Sequence, residues 1–205
     1  MTGVRVTVSA GSSIRGDVAV PGDKSIAHRW LILAATARGS SVLRDLPVSL
    51  DARSTARCLA SVCAPARPPL EAWASGTADR EETDRFTWDG RETGRPKSEV
   101  RVEGEGRRGL AEPAGALDCG NSGTTLRLLS GVVAAAPFRT VLTGDESLAS
   151  RPMERVAGPL REMGASVRTT DGHAPVEIEG ARLRGIRHRP AVASAQVKGA
   201  VLLAG

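Results

Sequence analysis

The sequence predicts an α/β fold in which an α-β-α-β-β unit occurs more than once. Segments with helical and strand periodicity alternate along the chain. The same order of elements follows two separate loops of small and polar residues, and a third such loop opens another helix near the C-terminus. Similar side chains also recur at matching points, in residues 42–53 (VLRDLPVSLDAR) and 141–151 (VLTGDESLASR). Both segments end on an arginine, predicted to lie at the mouth of each unit's second helix.

The first predicted unit covers about residues 14–115. Its elements are a capped helix (24–37), a strand (41–45), a second helix (51–62) and strands at 85–88 and 99–102. The stretch 65–97 is dense in proline, glycine and mixed charge. A flexible surface insertion is therefore predicted over residues 64–98.

The second predicted unit covers about residues 117–180. Its elements are a helix (121–135), a strand (139–143), a helix (152–163) and two strands (165–170 and 175–179) around the turn Asp171-Gly172. Pro152 is predicted at the first position of the second helix, and Gly164 just past its end. Pro159 is expected to kink or divide that helix.

A partial third unit covers residues 182–205 and contains one helix, predicted over 194–205. Its strand, second helix and hairpin are not present in the sequence. A complete domain seldom stops at such a point, so the sequence is expected to be part of a longer protein.

Composition narrows the functional class. The net charge is +5, but the basic residues are spread along the whole chain. Aromatic residues make up 2% and tyrosine is absent, so a stacking platform for single-stranded nucleic acid is not expected. No apolar run is long enough to span a membrane, and the N-terminus lacks a signal-peptide core. This balance favours a cytoplasmic enzyme with small polyanionic substrates.

The cysteines support the same compartment. Cys58, Cys63 and Cys119 are odd in number and lack CxxC spacing, so they are predicted to be reduced thiols and not disulfide partners or zinc ligands.

Three loops are the strongest functional signal. They are residues 21–29 (PGDKSIAHR), 118–127 (DCGNSGTTLR) and 193–198 (ASAQVK), and each places small or hydroxyl side chains where a helix begins. Free backbone N–H groups and the positive end of the helix dipole face outward there and bind phosphate or carboxylate. Two of the three lysines, Lys24 and Lys198, lie in or beside these loops. The sequence therefore predicts a repeated site for anions.

The residues alone leave alternatives open at each position. Serine, asparagine and threonine before a helix often act only as N-caps. Arg29 and Arg127 are equally consistent with solvated helix residues. His28 is more often structural than catalytic in such a position, and Cys119 fits a small buried residue.

Four segments resemble the 5-enolpyruvylshikimate-3-phosphate synthase family, also called the 3-phosphoshikimate 1-carboxyvinyltransferases. They are PGDKSIAHR (21–29), LDCGNSGTTLRLLSG (117–131), LTGDESLASRPM (142–153) and SAQVKGAVLLAG (194–205). They stand in the family's order, and PGDKS and VKGA are similar to the bacterial class II members. Members of that family are longer, and the segments correspond to their N-terminal half.

The resemblance implies a fold of repeated βαβαββ units in two domains, with the active site in the cleft between them. It implies transfer of the enolpyruvyl group of phosphoenolpyruvate to the 5-hydroxyl of shikimate 3-phosphate, by addition and elimination through a tetrahedral intermediate. No metal or organic cofactor is expected, and the complete protein is expected to be monomeric.

The resemblance also implies site residues. Lys24 would contact both substrates and take part in catalysis. The expected shikimate 3-phosphate site comprises Lys24, Ser25, Arg29, Ser194, Ala195 and Gln196. The expected phosphoenolpyruvate site comprises Lys24, Asn121, Gly123, Thr124, Arg151 and Gln196. Ala195 replaces a serine that many members carry, so only its backbone can contribute.

The missing C-terminal half limits these expectations. The aspartate that acts on the attacking hydroxyl lies in the family's C-terminal half, so these residues alone are predicted to be inactive. A truncated, non-catalytic ligand-binding fragment is one alternative. The other is UDP-N-acetylglucosamine enolpyruvyl transferase, whose first loop reads Lys-Asn where this sequence has Lys24-Ser25. Glyphosate occupies the phosphoenolpyruvate site in the family, and the retained Gly123 predicts that the complete enzyme binds it.

Overall fold

The computed structural model describes residues 22–47, 49–76 and 99–205. The helices are α1 (Lys24–Thr36), α2 (Leu50–Val62), α3 (Arg67–Ser75), α4 (Gly123–Ala134), α5 (Glu146–Ala149), α6 (Glu154–Met163) and α7 (Ala195–Ala204). The strands are β1 (Arg38–Arg44), β2 (Glu99–Glu105), β3 (Leu117–Asp118), β4 (Arg139–Thr143), β5 (Ser166–Thr170) and β6 (His173–Glu179). The predicted α/β class is confirmed. Within the described ranges, none of the helices has the length and apolar character needed to cross a bilayer.

The second unit has the βαβαββ order in full. Strand β3 pairs in parallel with β4 after the crossover through α4, and β4 pairs antiparallel with β6. Strands β5 and β6 form a hairpin, which gives the sheet order β3-β4-β6-β5. The predicted turn is present, with φ of 51° at Asp171 and 80° at Gly172. Two successive positive φ values match the twist of a tight hairpin.

The first unit repeats this arrangement where the structure describes it. Strand β1 pairs antiparallel with β2, as β4 does with β6. Buried and exposed residues alternate along β2, so one face of this two-stranded sheet packs on the core. The predicted strand at 85–88 and the start of the unit (residues 14–21) lie outside the described residues.

The two units differ in the role of the serine in their shared side-chain pattern. Ser49 is the N-cap of α2, whereas Ser147 lies inside α5. The second unit breaks its helix before Pro152, and α6 begins at Glu154 instead of at the proline. A residue that precedes proline is disfavoured in the helical region, which accounts for this break.

Helix α6 then continues through Pro159 without the expected division. The proline is the sixth residue of the helix and removes only the one backbone donor that would bond four residues back. The helix ends at Gly164, as predicted, with φ of 114°.

The predicted flexible insertion is also corrected in part. A short 3-10 turn (Ala64–Ala66) leads into α3, which packs against α2. Leu70, Trp73 and Ala74 have helical spacing and are buried, so this segment adds to the core. For residues 77–98, outside the described ranges, the insertion remains a prediction.

Close packing of α4 on α7 joins the second and third units. A Cβ atom on Gly131 would lie 2.1 Å from the carbonyl oxygen of Ala200, so only glycine allows this approach. Helix α4 is buried along nearly its whole length. As a result, the loops that open α4 and α7 lie side by side.

Candidate anion-binding active site

Each of the three predicted loops opens a helix, and in each a side chain caps the first turn. The capping contacts are Asp23 to the Ile26 amide at 2.7 Å, Ser122 to the Thr125 amide at 3.1 Å, and Ser194 to the Val197 amide at 3.3 Å. The N-cap interpretation therefore holds for these three residues. It does not exclude ligand binding, because one side chain satisfies only one of the free donors of a first helical turn.

Asn121 holds Arg151 beside the second loop. The Asn121 Nδ2 donates to both oxygens of Asp145, at 3.1 and 2.9 Å, and its Oδ1 accepts from Arg151 Nη2 at 2.5 Å. The Asp145 carboxylate also caps α5 through the Leu148 amide, at 2.8 Å. The hydrogen bonds from Asn121 and then Leu148 lower the pKa of Asp145. This carboxylate is thus an ionised anchor at neutral pH.

Gly123 lies between two guanidinium groups. A Cβ atom at this position would lie 2.7 Å from Arg127 Nη1 and 3.3 Å from Arg151 Nη1. Both cations therefore approach the backbone at the N-terminus of α4. The absence of a side chain at Gly123 makes this approach possible.

Arg127 is 4% exposed, so the interpretation as a solvated helix residue is wrong. Its Nη1 donates to Gln196 Oε1 at 2.7 Å and to the Gly123 carbonyl at 3.4 Å, and its Nη2 donates to the Pro152 carbonyl at 3.3 Å. Each of these acceptors is neutral. Among the residues that the structure describes, the positive charge of Arg127 is therefore not compensated by a charged hydrogen-bond partner.

The electrostatic cost of this arrangement appears in the pKa of Arg127. Burial is the main cause that lowers this pKa to about 10, and the nearby charges of Arg155 and Arg151 lower it further. The group stays cationic at neutral pH. A buried cation with cationic neighbours gains stability when an anion binds next to it.

Gln196 connects the second and third loops. Besides accepting from Arg127, it donates through Nε2 to Thr124 Oγ1 at 2.9 Å. Ser194 is half-buried as the N-cap of α7, and Ala195 is exposed as its first residue. The structure thus brings Thr124 and Gln196 into direct contact.

In the first loop, Lys24 forms an ion pair. Its Nζ lies 2.6 Å from Asp51 Oδ2, and its side chain is 53% exposed. The backbone carbonyl oxygen of Asp51 in turn lies 3.3 Å from Thr125 Oγ1. Asp51 therefore connects the lysine of the first loop with the helix that follows the second loop.

Arg29 connects the first loop with the third. Its Nη1 donates to the Ser25 carbonyl at 2.8 Å, and its Nη2 would lie 3.9 Å from a Cβ atom on Gly199 of α7. Both Lys24 and Ser25 are exposed, and Arg29 is half-buried. The three predicted loops thus adjoin one another in space.

Some residues of the site were not predicted. The sequence alone does not decide the role of Arg127, although it follows Gly123 by four residues and a helix places such a pair on one face. The sequence alone gives Asp51 and Asp145 no role in the site. The signal for both is a negative charge at the start of a helix, in the first turn of α2 for Asp51 and at the N-cap of α5 for Asp145. Conversely, the Arg53 guanidinium lies beside Gly76 at the end of α3, so Arg53 is not equivalent to Arg151.

The cysteines lie outside this chemistry. Cys58, Cys63 and Cys119 are all buried, in agreement with the interpretation of Cys119 as a small core residue. Burial raises the pKa of Cys63 to about 12, and a hydrogen bond with Cys58 is the first cause that raises the pKa of Cys119. Within the described ranges no three His, Cys, Asp or Glu side chains gather in a way that could hold a metal ion.

The chain is similar to known proteins over most of its length. The sequence model of the EPSP synthase (3-phosphoshikimate 1-carboxyvinyltransferase) family matches residues 8–67 and 89–205. The 3-phosphoshikimate 1-carboxyvinyltransferase of Salinibacter ruber is 43% identical over an alignment of 203 residues that covers 97% of this chain and 41% of that protein. The corresponding protein of Lactiplantibacillus plantarum is 40% identical over 200 residues, covering 98% of this chain and 40% of its own length.

A solved structure shows the same relationship. EPSP synthase from Acinetobacter baumannii superposes with a TM-score of 0.73 at 39% identity, over 93% of this chain and 38% of that one. This chain therefore spans about two fifths of the length of the relatives that it matches. With the family model matched over most of its residues, the chain belongs to the EPSP synthase family.

Proposed function

We propose that this chain supplies the N-terminal share of an active site that transfers the enolpyruvyl group of phosphoenolpyruvate to shikimate 3-phosphate. The observation that carries this proposal is the pair Arg127 and Arg151. Both guanidinium groups approach Gly123, and their hydrogen bonds go to neutral acceptors. Two adjacent cations at a helix N-terminus form a strong site for a phosphate or carboxylate.

The proposed reaction needs several such anion sites, because each substrate carries a phosphate and a carboxylate. The 5-hydroxyl oxygen of shikimate 3-phosphate bonds to C2 of phosphoenolpyruvate while a proton is added to C3. The tetrahedral intermediate then loses phosphate from C2 and a proton from C3, which leaves the enol ether. In this scheme Arg151, Asn121, Gly123 and Thr124 hold phosphoenolpyruvate.

The other loops would hold the acceptor substrate. Ser25 and Arg29 lie in the first loop, and Ser194, Ala195 and Gln196 lie in the third. Gln196 can contact both substrates, because it donates to Thr124 of the second loop at 2.9 Å. We assign these five residues to shikimate 3-phosphate.

Lys24 is the proposed catalytic residue of this chain. Its ammonium group is half-exposed and paired with Asp51, so an incoming phosphoenolpyruvate can exchange with that carboxylate. A cation at the reacting enol would stabilise charge that develops there or would deliver the C3 proton. The group that takes the proton of the attacking hydroxyl is assigned, by family resemblance, to residues beyond this chain. The complete protein is proposed to act as a cytoplasmic monomer.

The decisive experiment separates binding from turnover. The purified 205-residue chain is titrated calorimetrically with shikimate 3-phosphate, and then with phosphoenolpyruvate in the presence of saturating shikimate 3-phosphate. Phosphate release is measured with both substrates present. We expect binding without release of phosphate. Robust turnover would contradict the expected division of the site, and competition by UDP-N-acetylglucosamine would indicate the related transferase instead.

A matched pair of variants tests the arginine assignment. Arg151→Gln should weaken phosphoenolpyruvate binding at least about tenfold, because it removes a charge-assisted contact. Arg168→Gln changes a surface arginine of β5 that is 73% exposed, and it should leave binding unchanged. Equal losses in both variants would point to general electrostatic attraction and not to this site.

A further inference from the structure

Four buried polar side chains form a hydrogen-bonded network across three helices. The buried hydroxyl network consists of His28 on α1, Thr55 on α2, and Thr125 with its cap residue Ser122 on α4. All four side chains are buried, the most exposed at 1%. The contacts are 2.6 Å from His28 Nδ1 to Thr55 Oγ1, 2.6 Å from Thr55 Oγ1 to Thr125 Oγ1, and 2.7 Å from Thr125 Oγ1 to Ser122 Oγ.

The proton count sets the direction of this network. Thr125 has a single hydroxyl proton and two acceptors in reach, Ser122 Oγ at 2.7 Å and the Asp51 carbonyl at 3.3 Å, and the shorter hydrogen bond to Ser122 takes it. The short contact between the two threonines then needs the proton of Thr55, since each hydroxyl has only one. Thr55 has no proton left for His28, so the contact between them requires a proton on His28 Nδ1. In neutral histidine the other nitrogen, Nε2, is then unprotonated, and no hydrogen bond to Nε2 among the described residues opposes this assignment.

The position of the network connects it to the proposed site. His28 follows Lys24 by four residues and directly precedes Arg29, so the imidazole contacts the network from the same turn of α1 that carries both cations. At the other end, Ser122 lies between Asn121 and Gly123. The network therefore joins the loop assigned to shikimate 3-phosphate with the loop assigned to phosphoenolpyruvate.

From this geometry we infer that His28 is a positioning residue, which donates through Nδ1 into the buried hydroxyl network and holds the first two loops in one relative geometry. The inference rests on the proposed function for the identity of the ligands. The direction of the network and its effect on the second loop do not depend on that identity. Burial without charge suits this role, because a neutral imidazole can act as a fixed donor.

The first test is spectroscopic and needs no ligand. In the 15N-labelled chain, the side-chain resonances of His28 are assigned by their loss in His28→Asn. We expect a proton on Nδ1 and none on Nε2. A proton on Nε2 would reverse the direction and overturn the inference.

The second test asks whether the two loops are coupled. The backbone amides of Asn121 and Gly123 should shift in Thr55→Val, which removes one hydroxyl at nearly constant volume. The control is Thr36→Val at the end of α1, where the hydroxyl bonds, among the described residues, to the Ile32 carbonyl alone, at 2.8 Å. Amide shifts as small in Thr55→Val as in the control would refute coupling.

The third test measures affinity for shikimate 3-phosphate. Thr55→Val and His28→Phe should each bind about tenfold more weakly, and the double variant no more weakly than either, because both break one network. His28→Asn keeps an N–H donor near the position of Nδ1 and should restore most of the affinity. Equal losses in His28→Asn and His28→Phe would contradict a donor role. Should His28→Phe fail to fold, Thr55→Val still decides the outcome.

The outcomes separate the two proposals. A wild-type chain that binds no shikimate 3-phosphate, yet shows the Nδ1 proton and the coupled amide shifts, rejects the proposed function of this chain and retains the positioning network. If the wild-type chain binds shikimate 3-phosphate and Thr55→Val binds it with unchanged affinity, the positioning network is rejected and the proposed function is retained.

Discussion

Replacing His28 by asparagine should remove a large part of the acid sensitivity of this fold. Burial is the main cause that lowers the pKa of His28 from 6.5 to about 4. Asp51 opposes this effect, whereas Lys24 and Arg29 add to it. The unfolded chain therefore binds a proton at His28 over a pH range in which the folded chain does not.

The sign and size follow from linkage between protonation and folding. Because the pKa of His28 is lower in the folded state, the stability that neutral His28 contributes is fully present above about pH 6.5. This contribution is lost as the pH falls toward about 4. At about pH 5, His28 is mostly protonated in the unfolded state and mostly neutral in the folded state. This difference lowers the free energy of unfolding by about 2 kcal/mol relative to neutral pH. Complete protonation would remove about 3 kcal/mol.

Urea unfolding at pH 7 and pH 5 tests this prediction. The quantity to compare is the loss of unfolding free energy between the two pH values, because the substitution also changes stability at neutral pH. We expect the wild type to lose about 2 kcal/mol more than His28→Asn over this interval. His173→Asn, the same substitution at a histidine on the hairpin surface, serves as control and should keep the wild-type loss. Equal losses in the wild type and His28→Asn would refute the reasoning.

Three further predictions concern packing, the anion site and a surface carboxylate. Gly131→Ala should lower the unfolding free energy by about 3 kcal/mol in urea titrations, because its methyl would meet a backbone carbonyl. Gly158→Ala, a helical glycine with open space at that point, should be neutral or stabilise by up to about 1 kcal/mol, and a reversed order would contradict the packing. Gly123→Ala should weaken calorimetrically measured binding of phosphoenolpyruvate about tenfold, because the added methyl crowds both guanidinium groups. An unchanged affinity of this variant for phosphoenolpyruvate would argue against a binding site at Gly123. Glyphosate should bind the complete wild-type enzyme. Hydrogen bonds from an arginine and a threonine lower the pKa of Glu154 to about 2, so the stability that its carboxylate contributes is lost as the pH falls from about 4.5 to 2. In acid unfolding experiments, Glu154→Gln should therefore lose less stability than the wild type over this pH range.

Local structure could be predicted from the sequence because its causes lie within a few residues. Asp23, Ser122 and Ser194 each accept from an amide three residues ahead, so the starts of α1, α4 and α7 are decided locally. The turn at Asp171-Gly172 and the end of α6 at Gly164 have equally local causes. The loops, the helices that they open and the family motifs could therefore be identified from a single sequence.

Only the tertiary structure decided which of the loop residues cooperate. Arg127 is a cationic residue of a helix, and nothing in its neighbourhood along the chain shows that Gln196, 69 residues away, accepts from it at 2.7 Å. The bond between Thr55 and Thr125 joins residues 70 positions apart. The apolar face of α3 was obscured by the adjoining prolines and charges. Burial and charge compensation depend on packing between distant segments, so they were absent from the pattern that predicted the helices and loops.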